Sequence, residues 1–175
     1  MTSISIHSLA ADELDAQADA LAEIMAQTVN DGAAIGFMQP FSKADGLAFF
    51  TGQVFPEVHA GRRRLLAARL EGETVGSVQL IVALPPNQPH RCEVAKMMVS
   101  PKARRKGVGR ALMQALDTEA RAAGKTLVTL DTKTGDKAEP LYRAAGFEIA
   151  GVIPGFALDP DGNAQHATTY MYKAL

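Results

Sequence analysis

The stretch from Lys96 to Ala111, KMMVSPKARRKGVGRA, constrains this chain more than any other. An apolar run ends in a basic loop with two glycines, and apolar residues then recur at helical spacing at Val108, Leu112, Ala115, Leu116 and Ala120. The pattern predicts a strand, a loop and a helix in immediate succession. Its charges stand in an unfavourable place. Lys102, Arg104, Arg105, Lys106 and Arg110 gather where a helix N-terminus carries partial positive charge and unpaired N–H groups, at a cost of roughly 0.3–1 kcal/mol per nearby cation. Gly107 and Gly109 add roughly 0.8–1 kcal/mol each if they lie within the helix. A bound anion reverses this balance and glycine lets it approach the backbone, so the stretch reads as a phosphate cradle in preference to a solvated charge run.

Composition sets the frame for that unit. With 175 residues, 47% hydrophobic and 21% charged, the chain is expected to form one domain over residues 1–175 with a substantial core. A net charge of −1 gives no general bias toward nucleic acid or an acidic membrane. Charge is nonetheless polarised: no Lys or Arg precedes Lys43, and no acid lies between Glu93 and Asp117. No apolar run reaches the length of a membrane span, and the acidic N-terminal region lacks the basic and apolar parts of a secretory leader, so a cytoplasmic setting is expected. The lone Cys92 precludes an internal disulfide and reads as a small core residue. His7, His59, His90 and His166 lack motif partners and read as surface or packing residues. No metal site is expected.

Taken in order, Ser3 to Leu9 reads as a strand, and a helix capped near Asp12 follows, with Leu14, Ala18, Leu21, Ile24, Met25 and Thr28 as its apolar stripe. The next segment, GAAIGFMQPF, is apolar where a linker would be polar, which marks a functional loop with Phe37 as the aromatic candidate for a substrate wall. A second helix is predicted from Ser42 to about Val58, with Phe41, Phe49, Phe50 and Phe55 in the core. Arg62–Leu70 and Thr74–Leu84 form a hairpin about Glu71-Gly72-Glu73, and Arg62, Arg63 and Arg64 read as a solvated strand start. Cys92–Val99 is the strand before the basic loop, whose helix ends at Gly124. Thr126–Asp131 is a further strand. Asp136 and Glu139 read as a capping box for a short helix carrying Tyr142, and Phe147–Ile153 with His166–Tyr172 closes the chain as a strand pair. The order is β-α-α-β-β-β-α-β-α-β-β, a mixed α/β sheet with helices on its faces.

Three phosphate ligands compete for the cradle. Gly124-Lys125-Thr126 fails as a P-loop, because Glu119 stands where a glycine is required and the tripeptide ends a helix. A dinucleotide site has Gly107-Val108-Gly109 opening a helix and Asp131 at the separation of a ribose partner, but Leu112 replaces the third glycine. Coenzyme A is the third. Arg104, Gly107 and Gly109 match the [RQ]-x-x-G-x-[GA] pattern after a strand, and AEPLYRAAGF from Ala138 to Phe147 matches a short helix ending in [FY]-x-x-x-G-F. On these two motifs the chain resembles the GNAT superfamily of N-acetyltransferases along nearly its whole length. GAAIGFM, EVAKMMV, LDT at Leu130 to Thr132 and PGFALDPDG are further similar to its tabtoxin-resistance branch.

The resemblance implies a mostly antiparallel sheet of about seven strands with four helices, and an enzyme that moves the acetyl group of acetyl-CoA to a small amine, amino-acid-like or an antibiotic or toxin, in a ternary complex. It implies that Met98 and Val99 hold the pantetheine arm where two strands splay, and that Arg104, Arg105, Lys106, Gly107, Val108, Gly109 and Arg110 bind the pyrophosphate. Tyr142 then lies near the sulfur as the general acid, with packing of its short helix as the alternative role. Glu93 or Asp131 serves as base, directly or through water, and both attract a cationic amine. A non-catalytic acyl-CoA sensor and an NAD(P)-dependent reductase remain alternatives, as do monomer and homodimer.

Overall fold

The computed structural model describes residues 3–175. β1 (Ile4–Ser8) leads through a 3-10 turn (Ala11–Glu13) into α1 (Leu14–Asn30). Glu13, next to Asp12, closes this turn, its carboxylate accepting from the Ala10 N–H at 2.8 Å. α2 (Lys43–Phe49) continues through a π turn (Phe50–Val54) into α3 (Phe55–His59), which together form the expected second helix. Ser42 and Asp45 close its start reciprocally, at 3.1 Å and 2.8 Å. Gly46 within α2 has a packing reason: a Cβ there would stand 2.8 Å from the Ala22 carbonyl oxygen of α1.

β2 (Arg63–Leu70), β3 (Glu73–Ile81) and β4 (Arg91–Val99) follow, then a 3-10 turn (Pro101–Ala103) and α4 (Val108–Ala122), β5 (Leu127–Lys133), α5 (Ala138–Ala144), β6 (Glu148–Leu158) and β7 (Gln165–Ala174). The seven-stranded sheet has the order β1-β2-β3-β4-β5-β7-β6, and every pairing is antiparallel except β4 with β5. The closing strand pair is longer than expected, because β6 continues past Gly155, whose φ of 60° a side chain would strain. The capping box at α5 is also corrected. Glu139 reaches back to the Gly135 N–H at 3.1 Å while Asp136 takes the Lys137 N–H at 2.8 Å, so the two acids close different parts of the turn.

Strand alternation divides the core between the sheet's two faces. Leu66, Ala68, Val78, Leu80, Cys92 and Val94 pack with α4 and α5, whereas Leu65 and Ala67 pack with α1 and the second helix. On α4, Val108, Leu112 and Leu116 are buried, each contributing roughly 1.5–3 kcal/mol. The expected aromatics Phe41, Phe49, Phe50 and Phe55 fill the second face.

One irregularity positions the site. Lys96 has φ of 52°, and the β3–β4 register skips between Ser77 and Gln79, so β4 carries an extra residue at this point. The bulge reverses the parity of the strand: Cys92 and Val94 face α4, but Met98 joins the α1 core while Met97 and Val99 pack on the α4 side. β4 and β5 are paired only at Arg91–Glu93 and 127–129. Beyond that point they separate and leave a gap through the sheet.

Candidate active site

A cleft of about 1620 Å³ runs through this gap, from the loop after α1 to the start of α4 and the cleft-facing side of α5. Its α4 end is built from backbone. Gly107 caps α4 with φ of 86°, and Arg105 before it is also left-handed at 60°. The first bond of α4 runs from the Ala111 N–H to the Gly107 carbonyl at 3.0 Å, so the N–H groups of Val108, Gly109 and Arg110 at the helix start have no partner within the helix. Unpaired donors at a helix N-terminus form an anion cradle. Gly109 contributes by close packing: a Cβ would lie 3.0 Å from Leu141 Cδ2, so glycine lets α5 close the cleft against α4.

The expected cations are not equivalent. Arg105 and Arg110 line the cleft and are exposed, whereas Lys106 is exposed and does not line it. Arg104 lines the cleft but is ion-paired with Asp31 at the end of α1. The hydrogen bond and charge of Arg104 hold the Asp31 carboxyl below the usual carboxylate range. Val108 is 1% exposed, so its side chain serves the core and only its N–H is on offer.

Met98 and Val99 lie at the gap with different duties. The Ser100 N–H donates to the Val75 carbonyl at 2.8 Å, and alternation then turns the backbone of Met98 toward β3 and that of Val99 toward the gap. Val99 is therefore the one with free backbone groups for a ligand in the gap.

Tyr142 sits on the α4 side of the gap, 6% exposed and edge-on to Phe147 at 6.2 Å. Its hydroxyl has no partner among the described residues and is not sealed, so it opens into the cleft that the ring lines. Burial, with the charges of Asp136 and Asp131, pushes this phenol well above its ordinary value and keeps it protonated.

Glu93 and Asp131 face the other side. The parallel register sets Glu93 beside Thr129, so alternation places Glu93, Thr129 and Asp131 together, away from Cys92, Val128 and Leu130. Both carboxylates line the cleft. Glu93 is 3.3 Å from Arg91, which also donates to Thr129 Oγ1 at 2.6 Å. Asp131 is exposed and, among the described residues, accepts only from Thr168 Oγ1, at 3.1 Å.

Phe37 lines this half of the cleft, edge-on to Phe41 and Phe49 at 5.1 Å each. Lys96 completes the wall from beneath: its Nζ lies 5.2 Å from the Phe37 ring and donates to the Ile35 carbonyl at 2.6 Å. Burial lowers the proton affinity of Lys96, against the charge of Asp131. Arg63 corrects an expectation. It is half-buried and faces the cleft, in strand parity with Leu65 and Ala67. That alternation was the signal in the sequence. His166 also lines the cleft, although no motif pointed to it.

Among the described residues no group of three or more His, Cys, Asp or Glu could hold a metal, and no helix is long and apolar enough to cross a membrane. A model of the Acetyltransferase (GNAT) family matches residues 37–147. An IAA acetyltransferase of Azospirillum brasilense is 34% identical over 98 residues, 55% of this chain and 62% of the relative's length, so less than two thirds of that relative is spanned. A ribosomal-protein-alanine N-acetyltransferase from Brucella melitensis shares the fold with a TM-score of 0.80 at 22% identity, over 98% of this chain and 99% of that one. A Salmonella typhimurium protein solved with its cofactor acetyl-CoA does so with a TM-score of 0.78 at 20% identity, over 98% and 94% of the two chains.

Proposed function

The chain belongs to the GNAT acetyltransferase family, and from that premise we propose that it transfers acetyl from acetyl-CoA to the amine of a small molecule by direct attack in a ternary complex. The observation that carries the reading is the glycine-capped N-terminus of α4, whose first N–H groups have no partner within the helix and which lines the cleft between β4 and β5. These donors, with Arg105 and Arg110, suit a pyrophosphate, and Val99 offers backbone groups to the arm that follows. Bound there, acetyl-CoA supplies an acyl thioester whose carbonyl accepts the amine.

The chain's own groups then divide the proton work across the sheet. Tyr142, on the α4 side, holds a proton on its hydroxyl and can give it to a thiolate, which is a strong enough base in a water-poor site. Asp131 and Glu93, on the opposite side, draw a cationic amine and accept its proton, directly or through water. Asp131 is the stronger choice of base, because Glu93 shares its charge with Arg91. The likeness of the 32–38 loop and β4 to the tabtoxin-resistance branch supports an amino-acid-like acceptor. The buried, unpaired Cys92 suits a cytoplasmic setting, and one domain acting as monomer or homodimer is part of the same reading.

Thermal denaturation with coenzyme A and with NADPH tests the donor site. Coenzyme A is expected to raise the melting temperature and NADPH to leave it unmoved; stabilisation by NADPH alone would favour a reductase.

A further inference from the structure

Arg63 and Lys96 bring two cations to the acceptor half of the cleft from different strands, β2 and the bulge of β4. Neither has a carboxylate within ion-pair distance among the described residues. Their neighbours differ in this respect. Arg62 is paired with Glu57, Arg91 with Glu93 and Lys133 with Asp159. Half-buried charges without partners are costly, and two of like sign near one another cost more. Burial lowers the proton affinity of both groups; the charge of Asp131 opposes this at Lys96 and that of Glu57 at Arg63, and Arg63 adds a smaller lowering at Lys96.

Their remaining donors are held ready. Arg63 gives one Nη1 bond to the Oε1 of Gln79, which is 0% exposed and fixes the guanidinium plane. Arg63 Nε and Gln79 Nε2 are both sealed from solvent without an acceptor, so this corner of the protein has donors in excess. Lys96 uses one of its three N–H groups on Ile35. Register sets Arg63 opposite Ile81 and Ile81 opposite Glu93, so the cations share a face of the sheet with the carboxylates assigned to the amine.

We propose that the acceptor carries a carboxylate, seated by Arg63 and Lys96, while its amine lies toward Glu93 and Asp131. The substrate class is thus an amino acid or a close analogue, bound at both poles, with Phe37 and Ile81 against its carbon chain and Gln79 as a positioning residue. This rests on the transferase reading above and deepens it.

The test compares glycine, β-alanine, 4-aminobutyrate and the nineteen other standard L-α-amino acids with their carboxamides. Two readouts are taken: thiol release from acetyl-CoA, and the melting temperature of the coenzyme A complex. The best acid is expected to exceed its carboxamide in kcat/KM by roughly tenfold or more, the scale of a lost charge-assisted contact. Arg63→Gln should bring that ratio toward one, and Arg63→Lys should retain part of it. If Arg63→Gln does not fold, the ratio in the unaltered protein and in Arg63→Lys still decides. Equal kcat/KM for acids and carboxamides would overturn the anion site and leave the transferase standing. Stabilisation by acids but not carboxamides, with no thiol release from any amine, would leave the anion site standing and defeat the transferase. Neither release nor acid-selective stabilisation would overturn both.

Discussion

Arg104 on the basic loop is ion-paired with Asp31 at the end of α1, which ties the anion cradle to the root of the acceptor loop. The same guanidinium is wanted by a phosphate. Asp31→Asn is therefore expected to tighten binding of coenzyme A by a few fold at low salt, an effect that calorimetry at two ionic strengths would measure and that salt should erase. Stability should change little, since the pair is largely solvated. The sign with pH follows from the lowered Asp31 value: the pair's contribution is present above the unfolded carboxyl value of about 3.9 and fades as pH falls through the lower folded one.

Tyr142→Phe removes a hydroxyl that has no protein partner, so the melting temperature should move little. Turnover should fall by roughly a hundredfold, the lower range for a lost general acid, with the KM for acetyl-CoA changed much less. Steady-state kinetics separate the two parameters. Unchanged turnover would assign Tyr142 to packing on Phe147 alone.

Gly107→Ala places a side chain at φ of 86°, where an L-residue pays roughly 1–2 kcal/mol. The loss should appear in urea denaturation. Because the same residue aims the N–H groups of the cradle, coenzyme A affinity should weaken with it, whereas a purely structural glycine would leave affinity untouched.

Cys92 is fully buried against the α4 core and its thiol is pushed up to about 11 by burial. It should resist iodoacetamide in the native state at neutral pH and react on denaturation. Cys92→Ala should cost about 1–2 kcal/mol in a denaturant titration and leave the catalytic rate unaltered.

The sequence carried the cradle because its signals were local: cations and glycines at a helix start announce an unpaired N–H run without any tertiary knowledge. The element order was equally legible from periodicity, and the helical segment 43–59 survived Gly46 and Gly52. What escaped depended on parity and partners. The bulge at Lys96 adds one residue to β4, and EVAKMMV does not alternate clearly enough to reveal it. Arg63 was hidden in a run of three arginines, although Leu65 and Ala67 two and four residues on share its face. Spacing also predicts that Lys106 and Arg104 are near the loop, but not that Lys106 stands off the cleft wall or that Arg104 finds Asp31.

The central claim is acetyl transfer to an amine at the gap between β4 and β5. It is tested most directly by incubating the protein with acetyl-CoA and the amine panel, then measuring free thiol and N-acetylated product together. The account predicts equal amounts of both with at least one amine, and formation of both roughly a hundredfold slower in Tyr142→Phe. Coenzyme A binding with no acetylated product from any amine would contradict it and make the chain an acyl-CoA sensor.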